Sequence, residues 1–216
     1  MSIPFERYWQ ALLDTISMVA VSGGVAFAAG VPLAVLLIVT APGGFLESPR
    51  LNRAVGSVVN GFRATPFIVL LVALIPLTRL VAGTTIGVWA AIVPLSISAT
   101  PFFARIVEVS LREVDPGLVE AAQAMGCRKW DIVRYVLLPE ALPGIIGGFT
   151  ITLVALIGSS AMAGAVGAGG LGDLAIRYGY QRFDTEVMVF VIAILIALVS
   201  IVQFSGDRYV RWLKNR

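Results

Sequence analysis

Side chains able to do covalent chemistry are nearly missing from this chain, and the placement of its few polar residues carries the message. There is no histidine and one cysteine. That removes Ser-His-Asp catalysis, histidine zinc sites and histidine proton relays, and it leaves no intrachain disulfide or multi-cysteine metal framework. Cys127 stands beside Gly126, where a small filler and a reactive thiol are both reasonable. The lysines are Lys129 and Lys214, neither in a Gly-Lys-Ser/Thr context. No phosphate loop of the Walker type is present, so any nucleotide energy has to enter through a partner. What remains is recognition chemistry. Arg63 lies within an apolar stretch, and Ser159, Ser160 and Met162 offer two hydroxyls and a polarizable thioether, groups that could line a pathway through the membrane. A plainer reading is equally open: the serines bond their own backbone and Met162 fills a packing gap.

These residues sit in a chain of 216 that is 58% apolar and only 13% charged, far from soluble usage. The fold class that follows is an all-α polytopic membrane protein with five transmembrane helices. Residues 1–14, with Glu6, Arg7, Tyr8 and Trp9, read as an extracytoplasmic interfacial N-terminus. A transmembrane domain over 15–208 follows, and 209–216 form a cytosolic tail. Spans are expected at about 15–40, 55–78, 82–104, 143–163 and 187–206, each near the ~20 residues a bilayer requires. Ala26-Phe27-Ala28 superficially resembles a signal-peptidase site, but the apolar run continues well past it and the start lacks a basic region, so no cleavage is expected.

The second span reaches full length only by including Arg63. A charge there costs at least ~2.5–3.5 kcal/mol unless it snorkels, pairs or faces an aqueous path. Pro66 and Pro76 add bends that neighbouring helices can accommodate. After the fourth span, Gly164 and Gly167 open a glycine-rich return that suits close backbone packing or a moving gate.

Between the third and fourth spans lies the one long charged segment, 115–139. Asp115 can cap a helix with Pro116 in its first position, and Gly126 can end that helix in a left-handed conformation. A second helix is predicted from about Arg128, with Trp130, Val133 and Leu137 at helical spacing, ending at Leu138-Pro139. Two helices of about ten residues, each ~15 Å long, make a knob that another protein could grip. Its charges place it in the cytosol. With the N-terminus outside and the C-terminus inside, four of the 16 basic residues (Arg7, Arg79, Arg177 and Arg182) fall outside and the rest inside, as the positive-inside rule requires. No basic face of the extent that nucleic-acid binding needs is present.

Glu120, Ala121, Ala122, Gly126, Val136, Leu138 and Pro139 resemble the E-A-A-x3-G-x9-I-x-L-P signature of ABC importer membrane subunits, with Val136 in place of the usual Ile. The resemblance extends along the chain. Thr65-Pro66-Phe67-Ile68, Ile75-Pro76-Leu77-Thr78-Arg79, Pro139-Glu140-Ala141-Leu142-Pro143-Gly144, Gly164 to Gly172 and Gln203-Phe204-Ser205-Gly206-Asp207-Arg208 are similar to the permease subunit of bacterial methionine importers, a type I ABC importer family. That resemblance implies an inner-membrane homodimer, not an enzyme and without a cofactor of its own, whose knob docks into a cytosolic ATPase present in two copies. It also implies an extracytoplasmic methionine-binding lipoprotein. Where the family leads one to expect Gly-Tyr-Ser-Ala-Met, this chain has Gly158-Ser159-Ser160-Ala161-Met162, which leaves the same machine for another amino acid or small ligand open. An autonomous secondary carrier is disfavoured, because no acidic residue falls in the middle of a predicted span.

Overall fold

The computed structural model describes residues 4–215, all helices and connections among the described residues. Four helices are long and apolar enough to cross a membrane, and a sharply bent pair makes a fifth span if counted as one. The first is α1, Phe5–Thr40. Residues 5–14 are therefore continuous with the helix of the first span; residues 1–3 of the predicted N-terminal segment lie outside the described residues. The helix stops at Ala41, whose extended backbone (φ −62°, ψ 158°) is what the following Pro42 demands.

The second span, predicted over 55–78 with bends at Pro66 and Pro76, is broken more sharply than a bent helix. It is built from α2 (Pro49–Ala64) and α3 (Phe67–Ala73), which meet at 105°, followed by α4 (Ile75–Ala82). Thr65, caught before Pro66, takes φ −81°, ψ 123° and leaves the helical region. Few contacts oppose the bend, since Val59 is the one buried side chain of α2.

The core is carried by α1, by α5 (Val88–Arg112) and by α8 (Leu138–Gly164). Phe27, Phe103 and Phe149, one from each, form an aromatic trio with ring centroids 5.2–5.6 Å apart, a spacing at which edge and face attract. Above and below it, Met18, Leu95, Ala104 and Val107 are fully enclosed. Pro94 and Pro101 lie inside α5 without ending it, because packing on both sides holds the helix. The last long helix, α10 (Thr185–Lys214), buries only Val187 and Val191. So much exposed apolar surface marks a face made for lipid or for another subunit.

The glycine-rich return is a packed seam. After α8 ends, α9 (Gly170–Leu174) folds back so closely that a Cβ on Gly164 would lie 2.4 Å from the Asp173 nitrogen, and one on Gly172 would lie 2.3 Å from the Ala161 oxygen. The Thr15 hydroxyl donates to the Ala11 carbonyl and accepts from the Leu171 N–H at 2.9 Å, tying the seam to α1. The Gly87 N–H donates to the Gly167 carbonyl at 2.9 Å, which joins the seam to the start of α5.

Candidate functional site

The charged segment opens as its residues predict. The Asp115 carboxylate accepts from the Gly117 N–H at 2.8 Å, Pro116 occupies the first position of α6 (Pro116–Ala124), and the helix ends at Gly126 with φ +76°. The Cys127 N–H donates to the Ala122 carbonyl and the Gly126 N–H to that of Gln123, the paired bonds of a Schellman cap. No atom lies within 4 Å of where a Cβ on Gly126 would stand. Backbone conformation, not space, is what requires glycine there.

Beyond the turn the structure corrects the sequence reading. The second helix does not end at Leu138-Pro139: α7 (Lys129–Ile132) passes through a π-helical turn, Val133–Leu137, straight into α8, a continuous 36-residue helix from Lys129 to Gly164. In a regular helix the Pro139 ring would strike the Tyr135 carbonyl. The wider turn, closed by the Leu138 N–H on the Val133 carbonyl, relieves that clash while Leu138 keeps helical angles (φ −67°, ψ −44°). The fourth span and the second arm of the knob are thus one lever.

The two arms are held together from inside. Val119 and Leu138 pack against a buried cluster that includes Val107, Leu111, Val133, Leu137 and Ala141, and Ala122 is buried while Glu120, Ala121 and Pro139 are exposed and Val136 half-buried. At the root, the buried carboxylate of Glu108 on α5 accepts from Arg105 and, at 2.7 Å, from Arg112. Outward, Met125, Trp130 and Tyr135 are 76%, 66% and 67% exposed. Large apolar side chains that project from a charged knob need a partner to cover them. Of these only Trp130 was drawn into the sequence reading; three bulky apolar residues inside the one charged segment were the available signal.

The residues proposed for a pathway divide. Arg63 and Ser159 line one cavity of about 210 Å³, between the end of α2, α5 and α8, together with Ser98 and Thr152. Ser98 carries no distinguishing sequence signal. Ser160 points elsewhere: it is buried and donates to the Ile157 carbonyl at 2.8 Å, the plainer of its two readings. Met162 is 51% exposed and does not line that cavity, and Gly164 and Gly167 belong to the seam.

Comparison with known proteins agrees with this geometry. Residues 30–216 match the family described as binding-protein-dependent transport system inner membrane component. The chain is 55% identical to the probable D-methionine transport system permease protein MetI of Vibrio cholerae over 95% of its length and 92% of that protein's. It is 41% identical to the methionine import system permease protein MetP of Bacillus subtilis, over 95% and 93%. Its structure is similar to a chain of the MetNI methionine ABC transporter in an inward-facing conformation, with a TM-score of 0.96, 50% identity and 99% of both chains covered. An amino acid ABC transporter crystallised with histidines shares the fold, at a TM-score of 0.78 and 20% identity. This chain belongs to the family of inner-membrane components of binding-protein-dependent transport systems.

Proposed function

We propose that this chain is the permease subunit of an ATP-driven methionine importer. It works as a homodimer in the bacterial inner membrane with two cytosolic ATPase subunits and an extracytoplasmic methionine-binding lipoprotein. The observation that carries this reading is the likeness to methionine permeases over nearly the whole chain, at 41–55% identity. The knob supports it physically. Closing of the ATPase around Met125, Trp130 and Tyr135 would swing a lever that is continuous with the fourth span, so motion reaches the membrane without a soft joint. A two-fold pair supplies two knobs and the walls that five spans alone leave open. On this reading the N-terminus is outside and the C-terminus in the cytosol, and the seam around Gly164 and Gly167 lies at the outer end of the path.

Labelled methionine uptake into proteoliposomes that contain this chain, its ATPase and its binding lipoprotein is expected to require all three. Uptake driven by a proton or sodium gradient without the ATPase would refute the mechanism. Transport of another solute in preference to methionine would favour the second reading, the same machine with a different ligand, for which the exchange of an aromatic for Ser159 at the cavity wall is the specific motive.

A further inference from the structure

We infer that Arg63 is the carboxylate-recognition residue of the transport path, and that the cavity it shares with Ser98 and Ser159 is a site for one zwitterionic or anionic amino acid. The inference rests on the transport reading above and names the chemistry of its site. It starts from α2, which is amphipathic: Val55, Val58, Val59 and Phe62 face the groove along α1 and α5, whereas Arg53, Ser57 and Asn60 form an exposed polar stripe at helical spacing. A polar stripe among membrane-spanning helices needs water or polar groups against it. Arg63 lies at the far margin of that stripe, fourteen residues from the start of the helix and so ~21 Å along it.

Among the described residues no carboxylate pairs with Arg63 and no hydrogen bond engages it. The last turn of α2 holds the cation by its dipole. Pairing within the protomer, one of the ways a charge at this depth could be accommodated, is therefore not used. The cavity beside it is smaller than the ~300–1,000 Å³ of sites for drug-sized molecules, as a single amino acid requires. Its walls divide by chemistry. Leu156 and Phe102 supply apolar surface for a side chain, and the Ser98 and Ser159 hydroxyls are free of intramolecular bonds among the described residues. Thr152 already donates to the Gly148 carbonyl at 2.8 Å and can only accept. A carboxylate on the guanidinium would form two parallel charged hydrogen bonds, with the ammonium group turned toward hydroxyl oxygens. No acidic residue lines this cavity, so a second positive charge on the solute is repelled. The site selects against cationic amino acids.

The test uses the full complex in proteoliposomes, with wild type, Arg63→Gln and Arg63→Lys compared for uptake and for ATP hydrolysis stimulated by the loaded binding protein. Arg63→Gln is expected to lower uptake by about ten-fold or more while stimulated hydrolysis stays within about two-fold; Arg63→Lys keeps the charge but loses the fork, so its uptake is expected to fall between the other two. Uptake by Arg63→Gln at the wild-type rate would overturn the inference. So would a parallel loss of uptake and hydrolysis that lysine does not rescue, the mark of a structural role. Should the wild-type complex carry another amino acid and not methionine, the substrate reading fails but the same ratio is read on that solute. Transport restricted to solutes without a carboxylate sinks the inference itself.

Discussion

Two prolines in comparable settings have opposite outcomes. At Pro66 the chain breaks, turning α2 and α3 through 105°; at Pro139 it runs on, absorbed by a π-helical turn. Both follow a helix and both remove a donor, so the difference lies in what surrounds them. Leu137 is buried, and Val133 and Ala141 are enclosed with it against α5. Breaking the helix there would expose that cluster to solvent. Around Thr65-Pro66 the helix before the bend buries Val59 alone, so the local preference of a residue before proline prevails. Packing decides whether a proline is a hinge or a detail. On the proposed function the same division holds: the stiff passage would transmit force, while Phe62, Arg63 and Thr65 at the bend line a cavity.

The largest effect expected from breaking this comparison is at the knob's turn. Gly126→Val forces a β-branched residue to φ +76°, a strain of about 1–3 kcal/mol, and is expected to cut methionine uptake more than about ten-fold while crosslinking still detects an assembled dimer. Unchanged uptake would count against the lever. Next, Pro66→Ala frees the chain to straighten; uptake should fall several-fold, and spin labels on α2 and α3 should report a wider angle than the parent, whereas an unaltered angle would show that packing and not proline sets the bend. At the root of the knob, Glu108→Gln removes the charge shared by Arg105 and Arg112, at a loss of about 1.5–3 kcal/mol. A lower melting temperature of the purified complex checks this, and no shift would mean the clamp is idle. The smallest effect is expected for Pro139→Ala, since the helix already passes through; stability within about 1 kcal/mol and uptake within about two-fold are predicted. A large loss there would make Pro139 itself, and not the continuity of the helix, the working part.

Much of the knob was legible because its rules are local. Asp115, Pro116 and Gly126 each act within a few residues of themselves, through a cap, a preset torsion and a left-handed turn, and the structure places all three in those roles. The Leu138-Pro139 boundary misled for the same reason: it is a local rule overruled by contacts from α5 that lie far away in the chain. The N-terminal segment was separated from the first span on the strength of its charges, yet nothing between Phe5 and Asp14 breaks a helix, and α1 begins at Phe5. Ser159, Ser160 and Met162 were grouped by proximity in sequence, and the structure regrouped them. Ser159 and Ser160 are neighbours that face different surroundings, whereas Arg63, Ser98 and Ser159 come from three helices and share one cavity.

The order of residues by itself determined that this chain is a bundle of membrane helices with a charged, glycine-punctuated knob. Hydropathy, caps and turns are properties of short windows, and each window speaks for itself. Only the tertiary structure decided where the helices bend, that the second arm of the knob and the fourth span are one continuous helix, and which polar side chains meet. Those outcomes depend on the area that distant helices bury against one another, and that quantity exists only once the chain has folded.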